Sequence, residues 1–370
     1  MLSLRLQGRA PATGVREESM GLPRALTGGR TPASETPRRT ILWRLALASW
    51  SIGIVIVQAQ RASALRLLPD GFTYYAAALR LNVGHLLYRL SPGDLHIVLH
   101  PPYWSVPLLS PPFMAVVWRP LAVLPYDAAA WIWLGLMTVA MTWAAYQIFV
   151  PSPLAVAVAA PGLGYLLGSG NIHGFMFAVL VTLWLWRGRT WPAALLGIVT
   201  AAKIMPVVFV PWLLSERHRR PIIAFFVAVL ACSLIGVVGA GLAATRQYPH
   251  ILLTSAPQAV SLSYLTKIRW LSPALTVAGM IATLLLRGRR SYQMAVLTMV
   301  VFNASGVGFA GGSVIVLLAL PRELRYARAE LAGRPLTARV RAAVTDPDHV
   351  EYALVIGLIA LVEAVAYFVK

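Results

Sequence analysis

The chain has 370 residues, of which 58% are hydrophobic and only 12% charged, with a mean hydropathy of +0.69. A water-soluble domain carries about 25% charged residues, so this chain cannot wrap a core of that size in a solvated surface and has to use lipid as its solvent. The formal charge of +19 comes from 32 basic against 13 acidic residues, but the arginines fall in short clusters between apolar stretches. That is the pattern of cytoplasmic loops, not of a nucleic-acid-binding face. The single cysteine, Cys232, argues against a disulfide framework and a cysteine metal site.

Residues 1–40 are polar and rich in proline and glycine, with seven arginines against Glu17, Glu18 and Glu35. They cannot bury enough apolar area to order themselves and read as a disordered basic cytoplasmic tail. The first apolar run, 41–60, is expected to be an uncleaved span with its N-terminus inside. Ala62-Ser63-Ala64 imitates a cleavage site, but the polar stretch ahead of the run is far too long for a signal peptide. Residues 61–106 are too polar to span and form an outer loop containing Asp70, Asp94, His85, His96 and His100. Further membrane segments are expected at 107–125, 128–150, 154–186, 191–214, 221–241, 270–286, 291–320 and 350–369.

The arginine clusters set the topology. Arg187 and Arg189, then Arg217, Arg219 and Arg220, then Arg287, Arg289 and Arg290, and the six arginines of 321–349 all belong on the cytoplasmic side. Segments 191–214 and 291–320 then begin and end on one face, which a straight helix cannot do and a broken or re-entrant hairpin can. Breakers stand near the middle of each: Lys203 with Pro206, and residues 303–312. Segment 154–186 is interrupted by Gly168-Ser169-Gly170-Asn171. Non-helical backbone at membrane depth persists only where it lines a protein cavity. The expected fold is an all-α integral membrane protein, a polytopic bundle of about 11 transmembrane or re-entrant helices with an outer loop that carries the chemistry. The 242–269 loop and the C-terminus lie outside. The main membrane domain covers 41–320, an Arg-rich cytoplasmic loop 321–349, and a last helix 350–370.

Two residues stand out chemically. Asp70 lies just beyond the first span beside Phe72, Tyr74 and Tyr75, the kind of partly desolvated boundary where a carboxylate becomes a stronger base. The competing role is N-cap of a helix over 71–81. Lys203 is the one lysine within a membrane segment, and intramembrane charge is costly enough to mark function. Pro206, one turn on, opens the helix beside it, making a seat for a phosphate; the alternative is snorkelling to the interface. Arg119 serves the same anion or snorkels to the cytoplasmic face. His173 is a packing histidine or a substrate contact. His85, His96 and His100 lack metal-ligand spacing. Asp346 and Asp348 form a DxD pair with no nucleotide-binding domain around it, better suited to capping the last helix. No Walker A motif is present, so ATP-driven transport has no engine.

The order of these features resembles the membrane glycosyltransferases of the GT-C type, and specifically family GT87. Asp70-Gly71-Phe72-Thr73-Tyr74 followed by Ala77, Gly84 and Tyr88 is similar to that family's first-loop pattern. Pro111-Pro112, Pro120-Leu121 and Leu124-Pro125 resemble its PP…PL…LP span. Gly168-Ser169-Gly170-Asn171 is similar to its G-Q-x-N, and Gly197 with Lys203-Ile204-Met205-Pro206 to its G…K-x-x-P. The resemblance implies a polyprenyl-phosphate sugar donor, most simply mannose, and a glycolipid or lipoglycan acceptor at the outer face. It implies Asp70 as general base in an inverting transfer and Lys203 with Arg119 on the donor phosphate. Tyr74, Tyr88, His85, Asn171 and His173 are the implied substrate contacts. No metal or cofactor is implied, because the energy lies in the glycosyl–phosphate bond. Ser169 departs from the family's glutamine, and 303–312 lacks the histidine of its late hairpin. The rival readings are a glycolipid transporter or flippase, since broken helices with a buried cation are also transporter hardware, and an inactive homologue.

Overall fold

The computed structural model describes residues 68–96, 108–149, 166–186, 188–215, 218–254, 267–268 and 270–286. All of them fall in one compact unit, Leu45–Lys370. The described residues form helices and connecting turns, with no strand among them. The α-helices are α1 (Pro69–Asn82), α2 (Pro112–Trp118), α3 (Tyr126–Phe149), α4 (His173–Leu185), α5 (Thr190–Ala202), α6 (Val210–Ser215), α7 (Arg219–Thr254) and α8 (Leu271–Leu285). The segments expected at 41–60, 291–320 and 350–369, the 1–40 tail, the 321–349 loop and the 303–312 break lie outside the described residues.

Helix α1 follows from its sequence. Pro69 opens it, with a fixed φ and no N–H to leave orphaned. Asp70 in the first turn and Arg80 in the last complement the helix dipole, and Ala76-Ala77-Ala78 supplies strong helix formers. Gly84, at φ 79°, ends it: the His85 amide returns to the Arg80 carbonyl at 2.8 Å and the Gly84 amide to that of Leu81 at 3.3 Å, the Schellman pattern.

Segment 107–125 is not a spanning helix. Its only α-helical part is α2, seven residues or about 10 Å of rise, followed by a 3-10 turn at Leu121–Val123. Pro111 precedes α2 and Pro120 follows it, and a proline can neither donate to the ladder nor clear the preceding turn. Segment 191–214 is broken where Lys203 and Pro206 stand. Helix α5 stops at Ala202, Lys203 is extended (φ −152°, ψ 119°), and a 3-10 turn at Met205–Phe209 leads into α6. Segment 154–186 breaks at Gly170–Ile172, before α4 begins at His173.

The longest helix, α7, has 36 residues. It runs well past the boundary expected at 241: Gly241 leaves helical geometry (φ 87°, ψ 156°) and the helix then resumes to Thr254, so 242–254 is helix instead of loop. Among the described residues α7 is the helix long and apolar enough to cross a membrane. One of its faces packs on α5 and α2. Ile223, Phe226, Leu230, Leu234 and Val238, three or four residues apart, stand exposed, Val238 to 87%. An apolar stripe that size is unsuited to water. Helix α3 packs on α4, α1 on α2, and α4 on α5.

Candidate active site

The site is built where the chain before α1 meets the turn before α4. Leu68, fully buried, holds a left-handed backbone (φ 52°), which costs an L-residue about 1–2 kcal/mol. Its carbonyl accepts from the Tyr126 hydroxyl at 2.9 Å and from the Phe72 amide at 2.8 Å. Gly170, also at positive φ (68°), presses against it: a Cβ on Gly170 would lie 2.7 Å from the Leu68 Cβ and 3.2 Å from the Gly71 nitrogen. Trp133 on α3 donates its indole N–H to the Gly170 carbonyl at 2.8 Å. The two irregular pieces of backbone are therefore docked on each other.

That docking brings Asn171 to Asp70. The Asn171 Nδ2 donates to Asp70 Oδ2 at 3.0 Å. The Asn171 Oδ1 accepts the His173 amide at 3.1 Å, and the Asn171 amide donates to Ser169 Oγ at 3.2 Å. Both ends of the Asn171 side chain are thus occupied, which fixes the face it offers to Asp70. Asp70 itself is half-buried. It does not cap α1: the N-cap position is Leu68, with no side-chain capping bond.

Tyr74, one turn along α1, is 4% exposed. Burial, and after it the neighbouring Asp70 carboxylate, push its hydroxyl well above the ordinary value, against the Ile172 amide and the Ser110 hydroxyl that favour the phenolate. Tyr74 is therefore a neutral O–H donor beside a carboxylate. Lys203, half-buried at the break after α5, is in electrostatic reach of both Asp70 and His173. His173 is buried, and its Nε2 has no hydrogen-bond partner among the described residues. Asp70, Tyr74, Asn171, His173 and Lys203 form one cluster: a carboxylate with two neutral donors beside it, a cation and an unfilled imidazole nitrogen.

Two expected site residues, Arg119 and His85, are engaged elsewhere, and a third, Tyr88, reaches the cluster only through Ser110. Arg119 is bonded through Nε to Asn82 Oδ1 at 2.8 Å and through a terminal nitrogen to the Gly239 carbonyl at 3.0 Å, while the Asn82 side chain returns to the Arg119 carbonyl at 3.1 Å. Asn82 ends α1 and Asp70 begins it, about 18 Å apart along the axis, so Arg119 is not brought to Asp70. His85 pairs through Nδ1 with Asp94 at 2.7 Å. Against the upward pull of burial, the Ser91 amide, His85 and Arg80 hold the Asp94 carboxyl below its ordinary value. Arg80, 1% exposed, stitches the same loop to α1 through the Leu87 and Leu95 carbonyls, both at 3.3 Å. Tyr88 is buried, donates to the Ser110 carbonyl at 2.7 Å and stacks on Tyr248 of α7 at 6.0 Å. Burial raises its hydroxyl above the ordinary value. Ser110 thus links Tyr88, which its carbonyl accepts, to Tyr74, which its hydroxyl meets.

Sequence reasoning overlooked the residues that set the geometry. Leu68, Ser110 and Trp133 carry no motif signal. Ser169 was visible only as a departure from the family's glutamine, and its hydroxyl is what holds the Asn171 amide. Among the described residues no three His, Cys, Asp or Glu side chains converge as a metal site would need.

No curated protein and no solved structure matches the chain. The model of glycosyltransferase family 87 matches residues 109–344, more than half of the length. The matched part contains Asn171, His173 and Lys203, and Asp70 lies ahead of it. With a helical site of this kind and a match of that extent, the chain belongs to glycosyltransferase family 87.

Proposed function

We propose that this glycosyltransferase moves a sugar, mannose, from a polyprenyl-phosphate donor to a glycolipid or lipoglycan acceptor at the outer face of a membrane that it crosses several times. The observation that carries the reading is the cluster of Asp70 with Lys203 and His173: a carboxylate and cationic or donor groups in reach of one another but unlike in role. Asp70 takes the proton of the acceptor hydroxyl as its oxygen attacks the anomeric carbon. The bond from that carbon to the phosphate oxygen breaks, and the configuration inverts. Lys203 and the Nε2 of His173 meet the negative charge that grows on the leaving polyprenyl phosphate, the point at which fixed charge accelerates such a reaction most. Tyr74 supplies a neutral hydroxyl beside the base. Arg119, engaged with Asn82 and Gly239, has a structural part in this reading. The exposed apolar stripe of α7 supports the membrane setting.

The test is transfer from radiolabelled polyprenyl-phosphate mannose to extracted lipids by the full chain in membranes, comparing wild type with Asp70→Asn and Lys203→Met. Label in a larger glycolipid is expected with wild type alone; Lys203→Met is expected to lose on the order of 10²–10³-fold in kcat. Transfer by Asp70→Asn at the wild-type rate would remove the base. Transfer from an arabinose donor and not from mannose would overturn the sugar assignment, and transfer from neither would overturn the donor class.

A further inference from the structure

We infer that Asn171 is a positioning residue for Asp70: it holds one carboxylate oxygen so that the other faces the acceptor hydroxyl. The inference rests on Asp70 being the base. A carboxylate at the start of a helix can rotate about two bonds, and a base that must meet a hydroxyl in line with the departing phosphate loses rate when it is misplaced by about 1 Å, on the order of 10²-fold. Nothing within α1 fixes the Asp70 side chain, because the N-cap position is Leu68, with no capping bond. What fixes it comes from 101 residues away.

The Asn171 amide is suited to the task because its own orientation is set. With Oδ1 engaged by the His173 N–H and the backbone N–H engaged by Ser169 Oγ, only Nδ2 is left to face Asp70, and a donor facing a carboxylate keeps it an acceptor. The bond to His173 uses the main chain, so it survives a side-chain change at 173. The turn is pinned in turn by Trp133 at the Gly170 carbonyl and by contact with Leu68. The chain that carries the base and the chain that orients it are thus locked by contacts that touch no substrate. This differs from a substrate-contact role for Asn171, which would show in affinity.

The experiment measures kcat and KM for donor and acceptor, together with thermal unfolding, in the full chain carrying Asn171→Ala, Ser169→Ala, Asp70→Asn, or the exchange Asp70→Asn with Asn171→Asp. Asn171→Ala is expected to lower kcat roughly 10–100-fold while both KM values stay within about two-fold of wild type. Ser169→Ala, which leaves Asn171 in place but frees its amide, is expected to lower kcat several-fold, again without a KM change. It carries the test if Asn171→Ala fails to fold. The exchange restores an amide–carboxylate bond with donor and acceptor reversed. It is expected to melt closer to wild type than Asn171→Ala does and to remain inactive, because the carboxylate then sits on the wrong chain. A raised KM with kcat preserved would overturn the inference in favour of substrate contact, and a wild-type kcat in Asn171→Ala and Ser169→Ala, or activity in the exchange, would overturn it outright. Failure of the underlying reading has its own signature, wild-type transfer by Asp70→Asn alone.

Discussion

Replacing Gly170 by alanine adds one methyl group at the place where two irregular backbone segments touch. The residue holds φ 68°, where an L-residue is disfavoured by about 1–2 kcal/mol. The new Cβ would stand 2.7 Å from the Leu68 Cβ and 3.2 Å from the Gly71 nitrogen. Neither neighbour is the loose end of a flexible side chain. Leu68 is fully buried and already in a left-handed conformation, so it has no easy retreat, and forced overpacking of this kind costs about 1–3 kcal/mol. The combined loss is about 2–5 kcal/mol. Thermal unfolding of the detergent-solubilised full chain would register it as a drop of several degrees. Gly135 of α3 supplies the control, since a Cβ there meets nothing within 4 Å: Gly135→Ala should be neutral or gain up to about 1 kcal/mol from the lower backbone entropy of the unfolded chain. The two variants add the same methyl group, so their difference isolates geometry. If Gly170→Ala melts with wild type, the contact between the turn and Leu68 is not what holds the segments together.

Arg119→Lys loses the fork that reaches Asn82 and Gly239 at once; an ammonium can replace one of those bonds but not both. A stability loss of about 1–2 kcal/mol by thermal unfolding, with kcat unchanged, is expected for a staple, and a fall in kcat at preserved stability would return Arg119 to the donor phosphate. The Asp94 carboxyl is held below its ordinary value of 3.8, so the native loop favours its ionised form. Its stabilising contribution is then complete above that value and fades as pH falls through the lower folded-state value. Hydrogen exchange across residues 83–96 should rise on acidification below about pH 4, and Asp94→Asn should show fast exchange at every pH; a loop equally protected at pH 3 and pH 7 would refute the linkage.

What was legible in the chain was punctuation. Glycine and proline act through their own backbones, so the breaks at Gly168–Asn171 and Lys203–Pro206 could be read without knowing their surroundings, and the structure has them there. Hydrophobic length was a poorer guide. Residues 107–125 are apolar enough to span, yet the prolines at 111, 112 and 120 confine the helix to seven residues. Beyond Gly241 the polar residues suggested a loop, but alanines and long side chains continue the helix to Thr254. For the site, residue type pointed to Asp70, Asn171, His173 and Lys203, which the fold gathers. It said nothing about pairing. The partner of Arg119 is 37 residues upstream, that of Tyr88 is 22 residues downstream, and the Asp94 that takes up His85 is a neighbour in the same loop. Such partners are fixed by how elements cross, which spacing along one segment does not record.

Helix α7 has a consequence for how the enzyme meets its surroundings. Gly241 divides its 36 residues, and the part ahead of the bend, 219–240, rises about 33 Å, close to a hydrocarbon thickness of about 30 Å. Its first part presents an apolar stripe and its last part, past the bend at Gly241, carries Tyr248 to the ring of Tyr88. The same helix therefore both presents an apolar stripe and holds, through Tyr248, the loop that continues from α1. Whatever shifts the apolar stripe of α7 is thereby coupled, across the bend and through the Tyr248 ring, to the loop that carries Tyr88.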